Sequence, residues 1–340
     1  MQLTAFTEET SSHLLLASYN LAPELLARFQ NGMIYRYIPG GVCSPADLQT
    51  ERIWKGVAVR LGQWHATLPV LPSTTTSTQD RVSNHEQVEL PLAMSTMRPT
   101  VSQKEIFAIT PTKLTPNVWT TMQKWIYALP TRTEVQKHRK HQLQEELKRT
   151  VNDLADLPGL GENGLVLGHC DLLSGNVIKM SPSQEPRINA DDAENVTFID
   201  YEYASPAPAA FDLANHFAEW GGFDCDYSVL PIRATRREFL SRYLSSYKHY
   251  QKNSQPGEEA VSQEELDNLC AAVDQFRGTP GLYWGIWALI QAEISQIDFD
   301  YAAYAEVRLG EYFAWREEED GSRRRAGREI HPREKRLAAE

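Results

Sequence analysis

Two short stretches of this chain carry side chains whose types and spacing suit phosphoryl transfer. Val166-Leu-Gly-His-Cys-Asp-Leu-Leu-Ser-Gly-Asn176 supplies His169, Asp171 and Asn176. Phe198-Ile-Asp-Tyr-Glu-Tyr203 adds Asp200 and Glu202 behind a short apolar run. Such chemistry needs a carboxylate to hold the attacking hydroxyl and hard oxygen ligands for a divalent ion on the phosphates. Asp171 is expected to accept or orient the hydroxyl proton. Asn176 and Asp200 are expected to bind Mg²⁺, with Glu202 as a further metal candidate. His169 should fix the loop by hydrogen bonds, and Gly175 should let it turn sharply before Asn176. Read alone, each motif is also consistent with Asx turns at Asp171 and Asn176 and a strand-end cap at Asp200. The two in this order, a hairpin's length apart, favour the chemistry.

These groups need a scaffold. Leu165-Val166-Leu167 reads as a strand running into His169, and Val177-Ile178 and Val196-Thr197-Phe198-Ile199 as two strands flanking a polar turn. Asp200 then falls at a strand end. A stiff loop with Pro206 and Pro208 follows, then a helix from Phe211 to Trp220.

Together these residues resemble the choline/ethanolamine kinase family, and most closely its ethanolamine kinases of fungal type. The likeness runs from about Glu8 to Phe313. Its most specific piece is Phe198-Ile-Asp-Tyr-Glu-Tyr203 followed by Phe211-Asp-Leu-Ala-Asn-His-Phe-Ala-Glu-Trp220, where Ala214 departs from the family's usual Gly. The resemblance implies an α+β, protein-kinase-like fold with a small N-lobe and a mostly helical C-lobe. It implies ATP as co-substrate, Mg²⁺, and phosphorylation of the ethanolamine hydroxyl to phosphoethanolamine on the way to phosphatidylethanolamine. Choline or another amino-alcohol is the alternative acceptor. Leu172-Leu173 and the Trp119–Leu129 region are closer to ethanolamine than to choline kinases.

The same resemblance assigns further roles. Tyr35, Arg36, Tyr37 and Ile38 would form the adenine edge through backbone groups. Asp212 would anchor the catalytic loop. Glu219, Tyr203, Trp284, Trp287 and Tyr304 would form an amine box, since an ammonium ion prefers aromatic faces plus a carboxylate. Without the resemblance a Trp/Tyr stripe reads as core. Family members carry a β-sheet, with the phosphate-covering loop and a basic residue, before the helix that here starts near Glu8. Only a handful of residues precede that helix and no Gly-rich loop precedes Asn31, so a truncated small lobe is expected. That shortening fits either an abbreviated reading of a full enzyme or a member that binds its ligands with little turnover.

The remaining chain supplies helices and linkers. Residues 1–40 read as the N-lobe remnant and hinge strand, with a helix from Glu8 to Tyr19. A hairpin follows, from Leu25 to Phe29 and Met33 to Ile38 around Asn31-Gly32, stopped by Pro39-Gly40-Gly41. Residues 41–315 read as the helical lobe. Its helices are expected at Pro45 to Leu68, Pro111 to Leu129, Thr131 to about Leu157 behind a Thr131-x-x-Glu134 capping box, Arg233 to Tyr250, Ser262 to Phe276, from Thr279 and Pro280 onward, and Asp300 to Phe313. His65 reads as a packing or capping residue. Residues 70–112 read as a flexible insertion, and 316–340 as a charge-dense, disordered tail.

Composition excludes several classes. With 340 residues, 41% of them hydrophobic, the chain can bury a sizeable core. A net charge of −11 argues against a nucleic-acid partner and suits a small cationic substrate. Cys43, Cys170, Cys225 and Cys270 are widely separated, as for thiols in a reducing compartment. No run reaches the ~18 apolar residues of a membrane span, and no secretory leader is legible, so a cytoplasmic protein is expected. A homodimer is among the assemblies the resemblance allows.

Overall fold

The structure is a computed structural model that describes residues 10, 12–29, 32–70, 117–181, 192–251 and 260–340. The expected acid at Glu8 or Glu9, the turn residue Asn31, nearly all of the 70–112 insertion and the polar turn at 182–191 lie outside the described residues.

Helix α1 (12–18) ends at Asn20, which takes the left-handed conformation with φ 57°. Asn tolerates this region because its short polar side chain can bond locally. Strands β1 (Leu25–Arg28) and β2 (Met33–Tyr35) then pair antiparallel, closed by Phe29 N–H donating to the Gly32 carbonyl at 2.8 Å. The second strand stops at Tyr35, short of Ile38. Pro39-Gly40-Gly41 does not simply terminate it, because Gly40 opens strand β3 (Gly40–Val42). A Cβ at Gly40 would lie 2.2 Å from the Lys179 carbonyl oxygen, so only glycine lets these backbones approach. β3 pairs antiparallel with β5 (Val177–Met180), which pairs with β6 (Val196–Phe198), in the order β3-β5-β6.

The expected helix from Pro45 to Leu68 is two helices. Ser44 caps α2 (Pro45–Leu48) through a capping box with Asp47. The extended backbone of Thr50 then breaks the run before α3 (Glu51–Thr67). Helix α4 (Val118–Ala128) starts behind an Asn117–Thr120 box and buries Val118, Trp119, Met122 and Ile126. Helix α5 (Glu134–Leu154) is capped by Thr133, whose hydroxyl accepts from the Gln136 N–H, not by Thr131. The Gln136 side chain returns a bond to the Thr133 N–H, so the box that forms is the one two residues further on. Leu143, Leu147, Val151 and Leu154 turn inward at three- and four-residue steps, as their spacing requires.

The loop after β6 contains a strand that its prolines concealed. β7 (Ser205–Ala207) pairs antiparallel with β4 (Val166–Gly168), with Pro206 opposite Leu167 in a two-stranded sheet. Such an edge tolerates a residue without an N–H. Helix α6 (Ala209–Glu219) follows and is buried on every side. Helix α7 (Arg233–Tyr250) lies along α3, α8 (Gln263–Phe276) packs on both α6 and α7, and α9 (Thr279–Ile294) pairs with α10 (Tyr301–Glu319). The N-cap of α9 is Gly278, one residue before Thr279.

The C-terminal segment is ordered, against the expectation from its composition. Helices α11 (Ser322–Arg325) and α12 (Pro332–Leu337) fold back onto the helical lobe. Leu337 is buried and its carbonyl accepts from Arg236 at 2.9 Å. Glu334, also buried, meets Arg277 at 2.6 Å, and Arg323 meets Glu317 at 2.9 Å. Charge density along the chain says nothing of a distant partner such as Arg277, 57 residues from Glu334.

Candidate active site

The catalytic-loop candidates leave β4 at Gly168 and reach a single 3₁₀ turn, Ser174–Asn176, before β5. The turn does not use Gly175 in a left-handed conformation. The residues with positive φ here are Cys170 at 61° and Asp200 at 64°. Both flank the groups of interest, and holding a non-glycine residue there requires surrounding bonds that over-determine it.

Helix α6 provides those bonds. Asp212 accepts from the backbone N–H of Cys170 at 2.7 Å and of His169 at 3.0 Å. Asn215 donates to the Cys170 carbonyl at 3.0 Å, and His216 Nδ1 donates to the Leu172 carbonyl at 2.8 Å. Three residues within two turns of one helix thus fasten four backbone groups of the loop. Burial opposes charge on Asp212, but its bonds to His65 and the backbone prevail and hold the carboxyl below its usual range. His65 is more than a packing residue. Its Nε2 donates to Asp212 at 2.9 Å, and its Nδ1 lies 2.8 Å from the Tyr243 hydroxyl. Trp64, one position earlier, donates its indole N–H to the Leu167 carbonyl at 2.8 Å.

His169 behaves as its spacing suggested. It is fully buried, its Nε2 bonds the Ile199 carbonyl at 3.1 Å, and burial keeps it neutral. That bond ties the loop to the stretch carrying Asp200, and Ile199 N–H returns a bond to the Asn176 carbonyl at 3.0 Å.

Asp171 and Asn176 are in direct contact. The Asn176 amide donates to the Asp171 carbonyl at 2.8 Å and to its carboxylate at 3.1 Å. Burial first, then the negative charges of Glu219, Asp200 and Glu202, push Asp171 well above the usual carboxylate range, and the Asn176 bond only partly opposes this. Three acids from two other stretches therefore act on Asp171, with Asp200 and Glu202 exposed and Asp171 and Glu219 buried. Among the described residues no three His, Cys, Asp or Glu side chains form a metal cage by themselves.

The aromatic candidates divide into two groups. Tyr203, Trp284 and Trp287 meet, with ring centroids 5.6 Å apart for Tyr203–Trp284 and 5.4 Å for Trp284–Trp287. The Trp287 indole donates to the Tyr203 hydroxyl at 2.9 Å, and the Trp284 indole donates to Asn215 at 2.8 Å. Trp125 of α4 also stands edge-on to Tyr203 at 6.3 Å. Tyr304 contacts a different set of rings, Phe223 at 5.9 Å and Phe299 at 5.7 Å, and lies under the Arg308 guanidinium. Glu219 belongs to that second group, 3.3 Å from Arg308, which is itself 3.5 Å from Glu311. Burial raises the Glu219 carboxyl while Arg308 opposes the rise.

The adenine-edge candidates are only partly available. Arg36 donates its N–H to the Glu24 carbonyl at 2.9 Å, and its guanidinium pairs with the Glu24 carboxylate. Tyr37 is 77% exposed and Ile38 half-buried, at the entry to the sheet that carries Asn176.

A mainly helical lobe, a backbone-clamped loop after one strand and an acid after the next hairpin define the protein-kinase-like class. Solved structures agree. An ethanolamine kinase of Plasmodium vivax superposes with a TM-score of 0.60 at 21% identity, covering 89% of this chain and 70% of that one. A choline kinase of Cryptosporidium parvum gives 0.55 at 21% identity, covering 92% and 78%. The family described as choline/ethanolamine kinase matches residues 2–313, and this chain belongs to it. Among its relatives are the ethanolamine kinase of Drosophila melanogaster, 32% identical over 316 residues, and a probable ethanolamine kinase of Arabidopsis thaliana, 29% identical over 301 residues. These cover 90% and 87% of this chain, which spans 50% and 64% of the length of those two relatives.

Proposed function

We propose that this chain transfers the γ-phosphoryl group of ATP to the hydroxyl of ethanolamine. The observation that carries the reading is the buried Asp171, held in contact with Asn176 and under the field of Glu219, Asp200 and Glu202. A carboxylate raised by burial and like charge is a stronger base than a solvated one, and it can accept a hydroxyl proton as the alcohol attacks. The clamp from Asp212, Asn215 and His216 keeps that oxygen in place through the reaction, which is where most of the catalysis in phosphoryl transfer lies.

The donor set fits Mg²⁺. Hard oxygens of Asn176 and Asp200, with Glu202 as a third candidate, match the way Mg²⁺ takes one or two protein carboxylates and completes its shell with phosphate oxygens and water. That also agrees with the absence of an all-protein cage among the described residues. The ion, when bound, neutralises charge on the phosphates. The rings of Tyr203, Trp284 and Trp287 offer π-faces to an ammonium group, and Glu219, although paired with Arg308, still adds negative charge that is felt at Asp171.

Ethanolamine is preferred over choline because the named relatives point that way and because a primary ammonium can donate hydrogen bonds to a buried carboxylate. A protein of this class acts where ATP is available, and no helix among the described residues is long and apolar enough to cross a membrane. The test is phosphoethanolamine production from ATP, Mg²⁺ and ethanolamine by the purified protein. Asp171→Asn should lower kcat by about 10²–10⁴ without lowering the melting temperature, because it removes a charge that burial disfavours. Equal turnover in Asp171→Asn and wild type would end the reading.

A further inference from the structure

We propose that Asn215 is a positioning residue that locks the aromatic wall to the loop bearing Asp171, so that Trp284 acts on the reaction through Asn215 as well as through its ring. This rests on the ethanolamine-kinase reading. Asn215 is fully buried on α6, and both ends of its amide are engaged in opposite directions. Its Nδ2 donates to the Cys170 carbonyl at 3.0 Å, one residue before Asp171. Its Oδ1 accepts from the Trp284 indole at 2.8 Å, from helix α9.

The amide orientation follows from its partners. An indole N–H can only donate and a backbone carbonyl can only accept, so a flipped amide would face donor with donor and acceptor with acceptor. Asn is therefore the side chain that satisfies both. Asp would set an oxygen against the Cys170 carbonyl, and Leu, with the same branching, would satisfy neither. Cys170 needs such a tether because its φ is 61°, a conformation a non-glycine residue keeps only when its neighbours impose it. The bridge thus spans the wall where the ammonium group would sit and the strained peptide that aims the base. Rigid positioning over such a distance governs rate more than binding, since small displacements of a reacting group cost large factors.

Two variants isolate the bridge. Trp284→Phe keeps an aromatic face and removes the N–H together with the smaller ring of the indole. Asn215→Leu keeps the branched shape and removes both bonds. Each should lower kcat about tenfold, on the scale of one buried hydrogen bond left half made, and in Asn215→Leu, which leaves the rings in place, the KM for ethanolamine should move less than about twofold. The double variant should be no slower than Asn215→Leu alone, because both changes break one connection. An Asn215→Leu effect that falls on KM, or kcat effects that multiply in the double variant, would overturn the bridge and leave Trp284 as wall only. Folding is controlled by requiring all three variants to give cooperative melts above the assay temperature.

A second readout does not depend on turnover. The Trp284 indole ¹H–¹⁵N signal, assigned by its loss in Trp284→Phe, should exchange slowly with water in wild type and quickly in Asn215→Leu. Equal exchange rates would overturn the bridge. If wild type turns over no amino-alcohol, the substrate reading fails, and this exchange difference still decides the bridge.

Discussion

Replacing Asp212 by Asn tests the clamp beneath the candidate catalytic loop. The carboxylate accepts three bonds, from Cys170 N–H at 2.7 Å, His169 N–H at 3.0 Å and His65 Nε2 at 2.9 Å. An amide replaces one oxygen by a donor. If the NH₂ faces His65, that ring can switch tautomer and reverse its bond with Tyr243, but the His169 N–H is then left against another N–H. If the NH₂ faces the other way, the Cys170 N–H is orphaned. Either choice strands one buried backbone donor, which costs about 1–3 kcal/mol. The remaining bonds also lose their charge assistance, adding about 1 kcal/mol. Relief of a buried charge works the other way, but the depressed Asp212 carboxyl shows that its bonds outweigh burial. The net expectation is about 2–4 kcal/mol of lost stability, or a melting temperature lower by about 3–6 °C for a chain of this length. Thermal and urea denaturation measure it, and the kcat for ethanolamine should fall in the same variant because Asp171 follows the clamped peptide. A variant that melts within about 1 °C of wild type would refute the accounting.

Three further outcomes are expected. His216 is fully buried and neutral, and burial lowers it to about 4 from an ordinary 6.5. The unfolded chain therefore binds the extra proton between those values, and stability falls as pH drops from about 6.5 to about 4, by up to about 3 kcal/mol; His216→Gln should flatten urea-unfolding stability across that window. Deleting residues 320–340 should lower the melting temperature by several degrees, on the order of the ~2–4 kcal/mol set by losing buried Leu337 and the Glu334 partner of Arg277, and an unchanged melt would show that the segment adds nothing. Chelation by EDTA should abolish phosphoethanolamine formation and added Mg²⁺ should restore it, with Asn176→Ala requiring more Mg²⁺ than wild type; activity indifferent to EDTA would remove Asn176 and Asp200 from the proposed ion site.

The candidate site residues were more legible than their supports. Asp171, Asn176 and Asp200 stand at fixed separations along one loop and one hairpin, so spacing alone brings them near each other. Asn215 and His216 lie inside the stretch quoted for the resemblance, yet nothing in their types marks them as loop anchors. His65 sits 147 residues from Asp212 in sequence, and the contact exists only because α3 packs beside the catalytic loop. The Trp/Tyr stripe was ambiguous for a related reason. Helical spacing puts Trp284 and Trp287 on one face, but only the packing of α9 on α6 and α4 decides that Tyr203 joins them and Tyr304 does not.

Local order along the chain determined most of the elements, though not β3, β7 or the two C-terminal helices: apolar periodicity, caps within a residue or two, and a polar loop between short apolar strands. These depend on neighbours a few residues away, which the sequence displays directly. What tertiary structure alone decided was the pairing of distant charges. It turned the C-terminal segment from a solvated tail into a packed strap, gave Arg308 to Glu219, and fastened the loop of Asp171 to α6. A charge or an amide has no fixed role until burial removes water as its partner, and which group then replaces water is set by the three-dimensional path of the chain.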